Sequence, residues 1–281
     1  MITHSSFRGW SHLFFAAALL LPLGCSRASK TAITLAGSTS VEPFAELLAE
    51  HYMAQHHGVE ISVQGGGSSA GIRAVTSRIC AIGMSSRELN PEEKGLVEIP
   101  IAHDAIALIV NARNPVRQLT MEQARDVFAG RIRNWRDLGG PNRRITAITR
   151  EEGSGTRASF EEKVMVVGIP KTKDGKPNPA AFAPDALVQD SNGAVREIVA
   201  DDPAAIGYIS AGLIDERVAA VALDGVTPTE AGIRTGRYPV VREFLFLSCG
   251  EPTGTAKAFI DYVLSDSGQT ALVEEGLTRI K

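Results

Sequence analysis

Little in this chain suggests metal, redox or nucleic-acid chemistry. The 281 residues include only three cysteines, Cys25, Cys80 and Cys249. No spacing of His, Cys, Asp and Glu resembles a metal site, and no metal or other cofactor is expected. The net charge of −3 lacks the basic footprint of a nucleic-acid binder. So mild a field does not repel an anion strongly, and local dipoles can dominate. The apolar run from Leu13 to Leu21 is too short for a typical membrane span.

What is present is ordinary globular composition, 44% hydrophobic and 22% charged, at a length that suits one large domain or two modest ones. Arg8, the short apolar run and Leu23-Gly24-Cys25 read as a signal peptide over residues 1–25. Gly24-Cys25 resembles a bacterial lipoprotein box, with Pro22 where that box usually carries Leu, Val or Ile. Cys25 is therefore expected to be the lipidated first residue of an exported protein, periplasmic or membrane-anchored. The alternative is a plain cleavage site with an incidental thiol. Cys80 and Cys249 lie in apolar, strand-like contexts. An exported compartment permits a disulfide between them, and two buried thiols in adjacent strands explain them equally well.

The chain also repeats one small element three times. A Gly/Ser/Thr cluster sits before a helical segment at Gly37-Ser38-Thr39-Ser40, at Gly67-Ser68-Ser69 and at Gly153-Ser154-Gly155-Thr156. Such clusters offer hydroxyls and unpaired amides at helix N-termini, where the macrodipole favours negative charge. Singly they are ordinary caps. Three of them, the last preceded by Arg150, point to a site for one small oxyanion.

Strands alternate with helices: strand 32–36, helix 41–55, strand 59–63, helix 71–78, strand 80–84. That alternation predicts a largely parallel sheet covered on both faces, with ligands at the carboxyl edge of the strands. The first two clusters and Ser85-Ser86-Arg87 fall at that edge. Further on come a helix starting at Thr120 with a capping box, strand 145–149, helix 154–166, an exposed loop over 168–184, a helical stretch over 190–200 and a short buried strand over 205–209. A strand over 242–247 and a helical tail follow. Two apolar strands, at about 104–111 and 240–247, read as paired crossings between lobes. The expected architecture is α/β and two-lobed, with residues 31–111 and 241–281 as lobe one and 112–240 as lobe two.

In this order and spacing the segments resemble the phosphate-binding proteins of bacterial ABC phosphate importers, the PstS-like periplasmic solute receptors. The segments are Ala36 to Ser40, Gly66 to Gly71, Ile82 to Arg87, Phe128 to Trp135, Arg150 to Thr156 and Ala205 to Tyr208. The resemblance implies a type II periplasmic-binding-protein-like fold, each lobe a mostly parallel sheet flanked by helices. It also implies a receptor that clamps inorganic phosphate between its lobes and delivers it to a permease and ATPase complex in the inner membrane. The family's hydroxyl donors fall on Thr39, Ser40, Ser68, Ser154 and Thr156, a backbone N–H on Gly155, and the phosphate-pairing arginine on Arg150.

Two positions depart from the best-known members, which carry Asp where Ser86 and Glu152 stand. A carboxylate in the cage rewards phosphate, which has a proton to donate, over sulfate, which has none. Glu152 is then the remaining candidate acceptor, or else a salt-bridge partner that orients Arg150. Ser86 joins the ligand set. Arg87 lies near the crevice and could contact the ligand, bridge the lobes or face solvent. Asn192-Gly193 could close over the ligand or simply start a helix. His103-Asp104 invites a catalytic reading, but the apolar strand that follows favours a structural hydrogen bond. A monomer is expected, contacting membrane only through a lipid anchor on Cys25, with no catalytic residues. The competing readings are a receptor for another tetrahedral oxyanion (sulfate, molybdate), a serine-dependent phosphate-ester hydrolase, and a non-transport role in signalling or adhesion. No His or Lys base stands beside the clusters, which disfavours the hydrolase.

Overall fold

The computed structural model describes residues 31–172, 175 and 178–280. The signal segment and Cys25 lie outside the described residues. The chain runs β1 (Thr31–Gly37), α1 (Glu42–Gln55), β2 (Val59–Gly65), α2 (Ser68–Thr76), β3 (Ile82–Ser85), β4 (Val97–Asn111), β5 (Gln118–Leu119), α3 (Met121–Phe128) and β6 (Thr146–Arg150). It continues through α4 (Gly155–Lys163), β7 (Leu187–Gln189), α5 (Asn192–Asp201), β8 (Ala205–Ser210), β9 (Val218–Leu223), α6 (Glu230–Arg234), β10 (Val241–Ser248), α7 (Gly254–Leu264) and α8 (Asp266–Glu274). The fold is mixed α/β, a curled sheet flanked by helices.

Among the described residues ten strands form one connected sheet, whose main path is β2-β1-β3-β10-β4-β8-β6-β7, with β9 joining β4 to β5. β1 is parallel to β2 and β3, and β6 is parallel to β7 and β8. The junction is antiparallel: β10 pairs with β3 and β4, and β4 pairs with β8 and β9.

Side-chain alternation along β4 and β10 explains why both are apolar on each face. In the second half of β4, Ile106, Leu108 and Val110 enter a core shared with Phe128, Trp135, Phe160 and Tyr208, while Ile109 faces a core with Val195 and Val199. The first half sends Ile101 and Ala102 into a different core, with Leu35, Phe44, Ile82 and Phe259. In β10, Phe244 and Phe246 join that core, and Leu245 and Leu247 pack on the opposite face against Ile72 and Val75. Two groups of elements thus gather about separate cores, with β1–β3, α1, α2, α7 and α8 on one side. The other side holds β5–β9 and α3–α6.

Several boundaries differ from the sequence reading. β4 starts at Val97 rather than near Asp104, because its first residues alternate polar with apolar against β10. α2 starts at Ser68 rather than Gly71, so the second Gly/Ser cluster is the helix's first turn. β9 was not foreseen: its sequence VAAVAL is an apolar run that periodicity alone cannot assign to strand or helix. Both described cysteines are free thiols, and of the two expected to be buried Cys80 is and Cys249 is exposed.

Candidate functional site

The site lies where the starts of α1, α2, α4 and α5 meet beneath the β4–β10 junction. Each start has its own local cause. Ser154 caps α4 by accepting from the Arg157 amide, and Ser191 caps α5 by accepting from the Ala194 amide. Gly67, which precedes α2, has φ +87°, a backbone setting that glycine reaches without strain. The Cβ of any other residue at Gly155 would lie 2.2 Å from Ser68 Oγ and 2.5 Å from Ser86 Oγ. Only glycine lets α4 approach that closely.

Arg150, the last residue of β6, is fully buried. Its Nε donates to Glu151 Oε2 at 2.8 Å, and its Nη2 donates to Glu151 Oε1 at 2.9 Å, to Thr39 Oγ1 at 3.1 Å and to the Asp190 carbonyl at 3.0 Å. Nη1 is buried and has no hydrogen-bond partner among the described residues. Behind it, the Arg150 amide donates to the Tyr208 hydroxyl, which also bonds Thr149 Oγ1 at 2.7 Å. Burial pushes the Tyr208 phenol upward, so it stays protonated. Phe160 stacks on the Tyr208 ring with centroids 4.0 Å apart.

Around Arg150 the hydroxyls form two linked pairs. Ser40 Oγ and Thr156 Oγ1 lie 2.7 Å apart, and Ser68 Oγ lies 3.3 Å from Ser86 Oγ. Asn192 Nδ2 donates to Ser40 Oγ at 2.9 Å, and Arg242 Nη1 donates to Thr156 Oγ1 at 2.9 Å. Ser38 Oγ donates to Ser86 Oγ at 2.8 Å, and the Ser86 amide donates to Ser68 Oγ at 3.1 Å. All of these side chains are buried.

Arg242 is neutralised by Asp104, with Nε and Nη2 each 2.9 Å from Oδ2, and Ser210 Oγ donates to Oδ1 at 2.7 Å. Burial pushes the Asp104 carboxyl up and the Arg242 guanidinium down from their ordinary values, and their mutual attraction opposes both shifts.

Thr39, Ser40, Ser68, Ser86, Arg150, Ser154, Gly155 and Thr156 thus come together. Glu152 does not, and its expected role is corrected. The Glu151 amide still pairs with the Gln189 carbonyl, continuing the β6–β7 ladder, and this aims the Glu151 carboxylate at Arg150. Glu152 is exposed in the turn that follows. Arg87 is held away from the hydroxyls by Glu93, at 2.7 and 2.8 Å, and by Ser69 Oγ at 3.1 Å. Asn192, weighed as a closing residue, does touch Ser40. Arg242 was missed: it stands in an apolar strand, and only the fold brings it to Thr156.

Residues 26–267 match the PBP superfamily domain. The phosphate-binding protein PstS of Bacillus subtilis is 33% identical over 248 residues, 86% of this chain and 78% of that relative. A Clostridium perfringens phosphate ABC transporter substrate-binding protein, solved with bound phosphate, superposes with a TM-score of 0.82 at 38% identity, covering 89% of this chain and 100% of that one. An ABC-type phosphate transport receptor from Vibrio cholerae gives a TM-score of 0.70 at 36% identity, covering 88% and 99%. The chain belongs to the PBP superfamily, and PstS phosphate-binding proteins are among its relatives.

Proposed function

We propose that this protein is an extracytoplasmic receptor that clamps inorganic phosphate between two lobes and delivers it to an ABC importer. The observation that carries this reading is the buried, unpartnered Nη1 of Arg150 among hydroxyl pairs and helix starts. An uncompensated buried guanidinium nitrogen is costly, and an oxyanion satisfies it with a charge-assisted hydrogen bond. Amides at the starts of α2 and α4, which have no intrahelical acceptor, supply further donors. The proposed ligand set is Thr39, Ser40, Ser68, Ser86, Arg150, Ser154, Gly155 and Thr156, with the lobes centred on the two groups of cores.

A receptor fits better than a hydrolase. The serine hydroxyls bond to other hydroxyls, amides and side-chain N–H donors, and no imidazole or lysine among the described residues is bonded to them. Among the described residues no helix is long and apolar enough to cross a membrane. In this reading a lipid on Cys25 holds the receptor at the membrane, and it works as a monomer. Calorimetry against phosphate, arsenate, sulfate and molybdate tests the reading: phosphate should bind one-to-one and be recovered unchanged. Heat with sulfate or molybdate but none with phosphate would overturn it.

A further inference from the structure

The proposed site has a recognition problem. Hydrogen phosphate brings a proton that needs an acceptor, and the two carboxylates nearest the site serve arginines rather than the hydroxyl pairs. Glu151 gives both oxygens to Arg150, and Asp104 gives Oδ1 to Ser210 and Oδ2 to Arg242. Neither carboxylate is bonded to the Ser40–Thr156 or Ser68–Ser86 hydroxyls, which leaves those hydroxyls as the acceptor the cage itself offers.

The Ser40–Thr156 pair supplies it by valence. Each hydroxyl has one proton and two lone pairs. Asn192 Nδ2 fills one lone pair of Ser40, and Arg242 Nη1 fills one of Thr156. Neither donor can turn around to accept. The Asn192 carboxamide oxygen is held by the Ser210 amide at 3.2 Å, and a guanidinium has no acceptor. The bond between the two hydroxyls uses one proton and one further lone pair. One proton and one lone pair are left, in either direction of that bond. The Ser68–Ser86 pair has the same count but is looser, 3.3 Å against 2.7 Å, and one of its fixing donors is the rotatable Ser38 hydroxyl. It opens readily to give two donors.

Resting on the phosphate-receptor reading, we infer that the Ser40–Thr156 hydroxyl pair, fixed from behind by Asn192 and Arg242, is the element that accepts the ligand's proton. It selects a protonated tetrahedral oxyanion, phosphate or arsenate, over sulfate. Against sulfate the remaining lone pair faces an oxygen with nothing to donate, which is repulsive. Asn192 and Arg242 are positioning residues in this scheme.

The test is calorimetry with phosphate and sulfate at about pH 8, where phosphate still carries one proton. Removing either hydroxyl frees the other to donate and unscreens a nitrogen behind it. Ser40→Ala and Thr156→Val should each lower the phosphate-over-sulfate ratio by about tenfold or more. Thr156→Ser should recover most of the ratio, which a loss of packing at that position would not allow. Ser68→Ala should weaken both anions alike. Circular dichroism establishes folding for each variant. A ratio within about threefold of wild type in both Ser40→Ala and Thr156→Val overturns the inference, as does an equal fall in Ser68→Ala. If the wild-type protein binds no phosphate, the receptor reading itself fails, and this inference with it.

Discussion

Arg150 concentrates the chemistry of the site in one side chain. Its fork is fixed by Glu151 on one edge, which leaves Nη1 aimed with little rotamer freedom to lose. Lysine keeps the charge but loses the planar fork. Arg150→Lys is therefore expected to weaken phosphate binding by about 10- to 100-fold in calorimetry. Wild-type affinity in that variant would mean that the guanidinium only braces the turn. The arginine was legible because it follows a strand and precedes Gly-Ser-Gly-Thr. Which glutamate serves it was not, since that depends on how far the β6–β7 ladder runs before the turn. Asn192 and Arg242 were harder still to assign. Their hydroxyl partners lie 152 and 86 residues away in sequence, so no local pattern encodes the contact.

Four helix starts form the site, and one glycine sets how close two of them come. At Gly155, in the first turn of α4, alanine would raise helix propensity by about 1 kcal/mol while pushing its methyl against Ser68 and Ser86. Gly155→Ala is expected to fold with a melting temperature close to wild type, yet to lose most of the stabilisation that phosphate confers. A thermal-shift titration with the wild-type ligand response would sink this account. The Thr120–Gln123 capping box made α3 readable from the chain, and α1 and β8 were readable from their apolar residues. The three-residue β7 and the Ala-rich β9 were not, because their identity comes from the strands they pair with.

Across the whole molecule, arginine partners hold many carboxylates below their ordinary range. Glu93 is the most enclosed case, lowered first by its hydrogen bonds with Arg87, and Asp126 and Asp215 are lowered by Arg125 and Arg217. A carboxylate whose folded pKa is depressed adds stability above its unfolded pKa and loses it as pH falls through the folded value. The melting temperature should therefore drop as pH falls below about 4. Glu93→Gln should flatten part of that slope, and an unchanged slope would remove the Arg87–Glu93 pair from the account. The hydrogen bonds between the two core groups have a different kind of consequence. The Ser69 amide to Gly153 carbonyl bond, the Ser159 hydroxyl to Ser86 carbonyl bond and the Arg150–Thr39 bond all span them. An anion enclosed there leaves only after these bonds break, so its residence time is governed by opening as well as by its own contacts. Loosening Ser159, which lies behind the hydroxyl pairs, would shorten that residence while leaving the donors around the ligand in place. A downstream partner that pries the halves apart would need no contact with the anion to set it free.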